Sequence, residues 1–174
     1  MSDGSRLFPR PEHDHRACVA DGLAHAEAAC SEAGARLTDN RRAVLEILLV
    51  DHVPLSAYDI AERIDWKGRR VAPVQVYRAL EFLAEFGLVH RIESLNAYLA
   101  CSRPGDGPGD RHGPGDRHGA QFLVCTDCRR VAEASDSSVH KGIRRLADSA
   151  GFQVHAPVIE VAGLCPDCAG GRHG

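Results

Sequence analysis

A chain of 174 residues with 44 % hydrophobic side chains and a net charge of −3 is long enough for one ordinary domain or two small ones. No run of 18 apolar residues occurs, which excludes a helical membrane span; the slight negative charge argues against general coating of nucleic acid but leaves room for a local basic patch. No signal-peptide pattern opens the chain, so its seven cysteines are expected in a reducing, cytoplasmic setting, where thiols bind metal rather than pair.

Residues 1–15 are polar, contain two prolines and read as a loose tail. An alanine-rich helix follows over about 16–33 and ends at Gly34. A second starts after Thr38, a suitable N-cap, and turns Val44, Leu45, Leu48 and Leu49 inward. Ser56 caps a third, with Asp59 as the reciprocal partner of a capping box, ahead of Tyr58, Ile60, Ala61 and Ile64. Pro73 suits the first position of a fourth helix that runs to Phe86 and stops at Gly87. Segments 88–92 and 97–100 read as a hairpin turning at Leu95-Asn96, because Asn tolerates the left-handed turn conformation. Helices followed by a two-stranded hairpin give the pattern of a winged helix-turn-helix over 16–100.

The fourth helix has two faces. Val76, Leu80 and Leu83 recur at helical spacing, with Ala79, Phe82 and Phe86 widening the apolar stripe. Gln75, Arg78, Glu81 and Glu85 fall on the other side, with Tyr77 at the boundary. An arginine near the start of such a helix can form two bonds to guanine O6 and N7 in the major groove. Lys67, Arg69 and Arg70, just before the helix, can hold phosphates. From 36 to 91, nine basic residues stand against eight acidic ones, with the positive charge bunched around this helix. The alternative is a solvated helix face that happens to carry one arginine.

Residues 101–120 form a Gly/Pro-rich hinge that no packed element accommodates, with a tandem duplication, Gly107-Pro-Gly-Asp-Arg-His112 and Gly113-Pro-Gly-Asp-Arg-His118. Beyond it, Gln121–Val124 and Arg130–Glu133 read as short strands, about 137–150 as a helix closing on Gly151, and Phe152–Val161 as the last strand. The fold class expected is α+β: an N-terminal winged helix-turn-helix domain followed by a small α/β dimerisation domain over 121–174.

Two Cys-x-x-Cys pairs, Cys125/Cys128 and Cys165/Cys168, each follow an apolar run and are separated by 36 residues. Two strands ending in tight knuckles can converge four thiolates on one ion, and four sulfurs with no open position describe a structural zinc site. The alternatives are two disulfides or a redox dithiol; a thioredoxin-like site needs only one such pair. A second constellation is mixed. A two-residue hairpin loop would place Cys101 directly opposite His90, and His118 and Glu133 flank the first knuckle. Nitrogen, sulfur and oxygen donors together suit tetrahedral zinc better than a hard cation. Taken singly, Cys101 also suits a small buried apolar site, His90 a hydrogen-bonded surface position and Glu133 a solvated strand.

Arg36-Leu-Thr38, Leu55-Ser-Ala-Tyr-Asp-Ile60, Val76-Tyr-Arg-Ala-Leu80, Gly87-Leu-Val-His-Arg-Ile-Glu-Ser94 and Gly163-Leu-Cys-Pro-Asp-Cys168 together resemble the Fur family of metal-responsive repressors, especially its zinc-uptake regulator branch. The resemblance covers roughly 25–168. It implies a homodimeric repressor whose zinc-loaded form binds double-stranded operator DNA near zinc-uptake genes, with no membrane and no small-molecule substrate as partner. By the same resemblance Cys125, Cys128, Cys165 and Cys168 hold structural zinc, His90, Cys101, His118 and Glu133 hold regulatory zinc (two ions per chain), and Tyr77 and Arg78 contact the operator. Gln75 stands where the family usually carries Thr. The iron-sensing branch has a histidine-rich run before the first knuckle; its absence here, with a cysteine at 101, favours zinc.

An enzyme is the main alternative class. Zinc deaminases combine His-x-Glu with Pro-Cys-x-x-Cys. His25-Ala-Glu27 occurs, but neither cysteine pair follows a proline, and two fully ligated ions leave no open position to activate water. No catalytic residue is therefore assigned. A zinc-ribbon interaction module without DNA binding is the other alternative.

Overall fold

The computed structural model describes residues 7–8, 15–51, 53–66, 69–101, 121–154 and 157–171. Two compact units result, one of residues 10–116 and one of residues 117–174 with 1–9.

In the first unit, α1 (His15–Glu32) packs on α2 (Asp39–Asp51) and is tied to it by the Glu27–Arg42 ion pair. Helix α3 (Ala57–Arg63) starts with the full capping box: the Ser56 hydroxyl accepts from the Asp59 N–H, and the Asp59 carboxylate accepts from the Ser56 N–H at 2.9 Å. A short antiparallel ribbon follows, β1 (Asp65–Trp66) with β2 (Arg69–Arg70), which sequence patterning does not reveal because two-residue strands have no period. Helix α4 (Pro73–Glu85) has Pro73 in its first turn. It ends in a Schellman motif: the Leu88 N–H bonds to the Leu83 carbonyl, the Gly87 N–H to the Ala84 carbonyl, and Gly87 takes φ +67°.

Val44, Leu45, Leu48, Ile60, Val76, Leu80 and Leu83 are all within 2 % of complete burial, so the apolar stripes of α2, α3 and α4 face one another. Tyr58, by contrast, points outward at 63 % exposure. Burial of each such aliphatic side chain contributes about 1.5–3 kcal/mol, so this shared core is what orients α4.

The wing is β3 (Val89–Ile92) antiparallel to β4 (Ala97–Ala100), and Leu55 adds a bridge to Tyr98 on its other edge. Its register differs from the expected one. Ile92 faces Ala97 and His90 faces Leu99, not Cys101. The loop is four residues long because Glu93–Leu95 makes a 3₁₀ turn and Asn96 sits at φ +47°, its N–H bonded to the Glu93 carbonyl. That is the longer hairpin loop with a left-handed residue, not a two-residue turn. A slip of two keeps every side chain on its face, so Cys101 becomes a diagonal neighbour of His90 on the same side.

The second unit is a three-stranded sheet in the order β6-β5-β7: β5 (Gln121–Cys125) is antiparallel to β6 (Val131–Ala134) and parallel to β7 (Ile159–Gly163). Helix α5 (Ser137–Ser149) connects β6 to β7, with Asp136 accepting from the Ser138 N–H at 2.7 Å as its N-cap. The last strand is shorter and later than the expected 152–161. Pro157 has no N–H to donate to a ladder, and pairing begins at Ile159 opposite Gln121. A one-turn helix, α6 (Pro166–Ala169), follows. Among the described residues no helix is long and apolar enough to cross a membrane.

Candidate metal centre and nucleic-acid interface

Cys125 ends β5 and Cys128 closes the turn after it. The Cys125 N–H bonds to the Arg130 carbonyl at 2.9 Å and the Arg129 N–H to the Cys125 carbonyl at 3.0 Å, with Arg129 at φ +60°. Cys165 precedes α6, and Cys168 comes round one turn later. Parallel pairing of β5 with β7 brings the two knuckles to the same end of the sheet, and the Thr126 N–H bonds to the Gly163 carbonyl at 2.8 Å. The four sulfurs lie within 4.8 Å of one another, Cys128 Sγ and Cys165 Sγ at 3.7 Å. A disulfide needs about 2.05 Å. Sulfurs about 2.3 Å from a common tetrahedral centre lie roughly 3.8 Å apart, so the observed spacing fits zinc.

Electrostatics agrees. Burial raises the Cys125 thiol, but the N–H groups of Cys165, Cys128 and Asp127 around its sulfur outweigh burial and hold it at about 6. Cys165 is likewise lowered against its burial, by Cys168 and neighbouring groups. Cys168 is pushed up, first by burial and then by Asp127 and the adjoining thiols. Anionic sulfurs so close together repel one another, so Cys168, already raised by burial, rises where Cys125 and Cys165 fall; a cation among them relieves that repulsion, and this donor set supplies the arrangement for one.

Arg130 is the residue that sequence spacing misses. Its Nε donates to Cys128 Sγ and its Nη2 to Cys165 Sγ, both at 3.4 Å, while Nη2 also pairs with Asp167 Oδ2 at 2.5 Å. The available signal was a cation two residues after a knuckle cysteine, opposite an Asp inside the other knuckle.

Of the mixed set, His90 and Cys101 lie on the wing, with ligand atoms within 4.8 Å of each other. Cys101 is 5 % exposed, and its N–H extends the hairpin ladder to the Leu88 carbonyl at 2.9 Å. His90 Nε2 is shut off from solvent. Glu133 is half-buried on β6 in the other unit, opposite Phe122 of β5. His118 lies outside the described residues.

Helix α4 presents the predicted division. Val76, Ala79, Leu80 and Leu83 are buried, Gln75, Arg78, Glu81 and Glu85 exposed, and Tyr77 half-buried between them. Asn40 Nδ2 donates to the Gln75 carbonyl at 3.2 Å, and the Arg41 guanidinium lies 3.3 Å from the Phe82 ring centroid, so the start of α2 braces α4 at both its first and its last turn. Arg69 and Arg70 form β2, pairing with Trp66 and Asp65; Lys67 lies outside the described residues.

A winged helix carrying an exposed arginine on its last helix, in one chain with a four-thiolate knuckle pair, defines a metal-dependent DNA-binding protein. The ferric uptake regulator family profile matches residues 32–99. The chain is 35 % identical over 146 residues to the zinc uptake regulation protein of Escherichia coli, spanning 84 % of this chain and 80 % of that protein. It is 28 % identical over 141 residues to the zinc uptake regulation protein of Mycobacterium tuberculosis, spanning 79 % and 98 %. Among solved structures it resembles a zinc uptake regulator complexed with zinc and DNA, with a TM-score of 0.79 and 33 % identity over 90 % of this chain and 98 % of that one. It also resembles holo XcZur, with a TM-score of 0.73 and 37 % identity over 86 % and 98 %. The chain belongs to the ferric uptake regulator family, in its zinc-uptake-regulator branch. These relatives are transcription regulators, which sets the enzyme reading aside.

Proposed function

We propose that this chain is a zinc-responsive transcriptional repressor that binds operator DNA as a zinc-loaded homodimer and controls zinc-uptake genes. The observation that carries the reading is the pairing of His90 with Cys101 on the wing, in the same unit as α4. A metal-binding pair and a DNA-reading helix on one rigid core make operator affinity answer to zinc. The likeness to a zinc uptake regulator complexed with zinc and DNA supports it.

Each chain holds two zinc ions. Cys125, Cys128, Cys165 and Cys168 hold the structural one; His90, Cys101, His118 and Glu133 hold the regulatory one. Zinc at the second set supplies a redox-inert cross-link. His90 and Cys101 would anchor the wing to that ion, so ligation would fix the wing of the unit that carries α4. Favouring the operator-competent arrangement by about 1–3 kcal/mol changes affinity about 5–150-fold. Arg78 reads a base edge, Tyr77 and Gln75 flank it, and Lys67, Arg69 and Arg70 hold phosphates.

Dimerisation fits the second unit's exposed apolar surface: Leu146 on α5, Val161 on β7, and Phe152, Val158 and Leu164 are 51–71 % exposed. Strand β7 lies at the sheet edge. A second copy covers this surface and sets the spacing of the two reading helices. The test is a gel-shift titration on promoter DNA beside zinc-transporter genes, with and without chelator. Binding that appears only with zinc supports the proposal; equal binding in both lanes, or none in either, refutes it.

A further inference from the structure

We propose that Arg130 is an outer-sphere clamp on the structural zinc site, a positioning residue that keeps the four thiolates metal-bound; this rests on the four-thiolate reading above. The carbonyl of Arg130 accepts the Cys125 N–H and so closes the first knuckle. Its side chain crosses to the second: Nε reaches Cys128 Sγ, and Nη2 reaches Cys165 Sγ and the Asp167 carboxylate. One residue thereby contacts one sulfur from each pair, and Asp167 holds the guanidinium in place. At 16 % side-chain exposure, Arg130 is far more enclosed than a surface cation.

Four thiolates around Zn2+ carry a formal charge of −2. A guanidinium donating to two of those sulfurs offsets part of that charge at the site itself. Its N–H bonds also draw on the sulfur lone pairs that otherwise react with protons and oxidants, so a thiolate is less readily displaced from the metal by a competing chelator. Only the arginine fork does this: two N–H vectors leave one rigid plane toward two sulfurs, whereas a lysine ammonium at this position is a single point charge. Outer-sphere partners of this kind typically contribute 10–100-fold to metal affinity.

The experiment compares full-length wild-type protein with Arg130→Gln, Arg130→Lys and Asp167→Asn. The first readout is the slow phase of zinc transfer to a chromogenic chelator. It should accelerate about 10–100-fold in Arg130→Gln, with Arg130→Lys and Asp167→Asn in between. The second is the sulfur-to-metal charge-transfer band of the cobalt(II)-substituted protein. Loss of N–H donors raises the sulfur lone-pair energy, so the band should move to longer wavelength in Arg130→Gln. A residue that merely stabilises the fold leaves that band in place. Should Arg130→Gln fail to fold, Arg130→Lys and Asp167→Asn carry both readouts. Unchanged transfer rates with an unchanged band across the folded variants would overturn the clamp. A wild type that lacks tetrahedral cobalt–thiolate bands would overturn the four-thiolate reading itself.

Discussion

The roles proposed for Arg78 in reading and for Cys101 in sensing can be separated by experiment, although both residues belong to the same unit. Arg78 is exposed on α4, and Cys101 is buried at the end of the wing. Arg78→Ala should cost about 1–3 kcal/mol of operator affinity and relax base preference at one position per half-site, with zinc binding unchanged. Cys101→Ser should leave α4 intact and abolish the zinc response. Operator titrations alongside zinc competition check the pair, and equal loss of zinc affinity in both variants would show the roles are misassigned. The duplicated histidines give a second residue-scale test. His118 stands three residues before β5, whereas His112 is six residues further out, and ordering that extra chain costs roughly 1–2 kcal/mol per residue. His118→Ala should weaken regulatory zinc binding strongly and His112→Ala hardly at all; comparable losses would mean the repeats supply interchangeable ligands.

Among the elements, α3 offers a clean measure of local encoding. Its capping box was legible from Ser56 and Asp59 alone because the motif is satisfied within four residues. Ser56→Ala should destabilise the first unit by about 1 kcal/mol, a fall of roughly 4–8 °C in its melting temperature by calorimetry. A shift below 1 °C would mean the box contributes nothing beyond solvent hydrogen bonds. The wing was legible as a hairpin but not in register. Alternation in 88–92 and 97–100 is the same for either pairing, and the choice turned on the left-handed Asn96 after a 3₁₀ turn. The faces were nonetheless right, because a shift of two preserves them. Strand β7 was misplaced for a related reason: an apolar run marks burial, while its paired portion depends on which backbone groups meet β5.

At the scale of the whole molecule, the two ligand sets predict two kinds of metal loss. Purified protein at zinc saturation should hold two ions per chain, and mild chelation should remove one while circular dichroism stays native. Elemental analysis showing a single ion would remove the regulatory site. Cys128→Ser should instead unfold the second unit, since structural metal binding is folding free energy. Val161 on β7 is 51 % exposed, so Val161→Glu should not disturb the core yet should place charge in the proposed dimer surface. Sedimentation should then report a shift toward monomer and gel shifts a loss of operator binding. A variant that remains fully dimeric would place the interface elsewhere.

Sequence alone determined the winged-helix pattern, the two faces of α4 and the candidate thiolates, since each rests on short-range periodicity or spacing that the chain carries locally. Residue spacing could not decide which atoms converge. Parallel pairing of β5 with β7 puts Cys125 and Cys128 beside Cys165 and Cys168. The wing register makes Cys101 a diagonal rather than a direct neighbour of His90. Arg130 reaches across to the second knuckle only once both turns have folded. These are contacts between residues up to about forty positions apart, and their geometry is set by backbone hydrogen bonding and packing that no local pattern encodes.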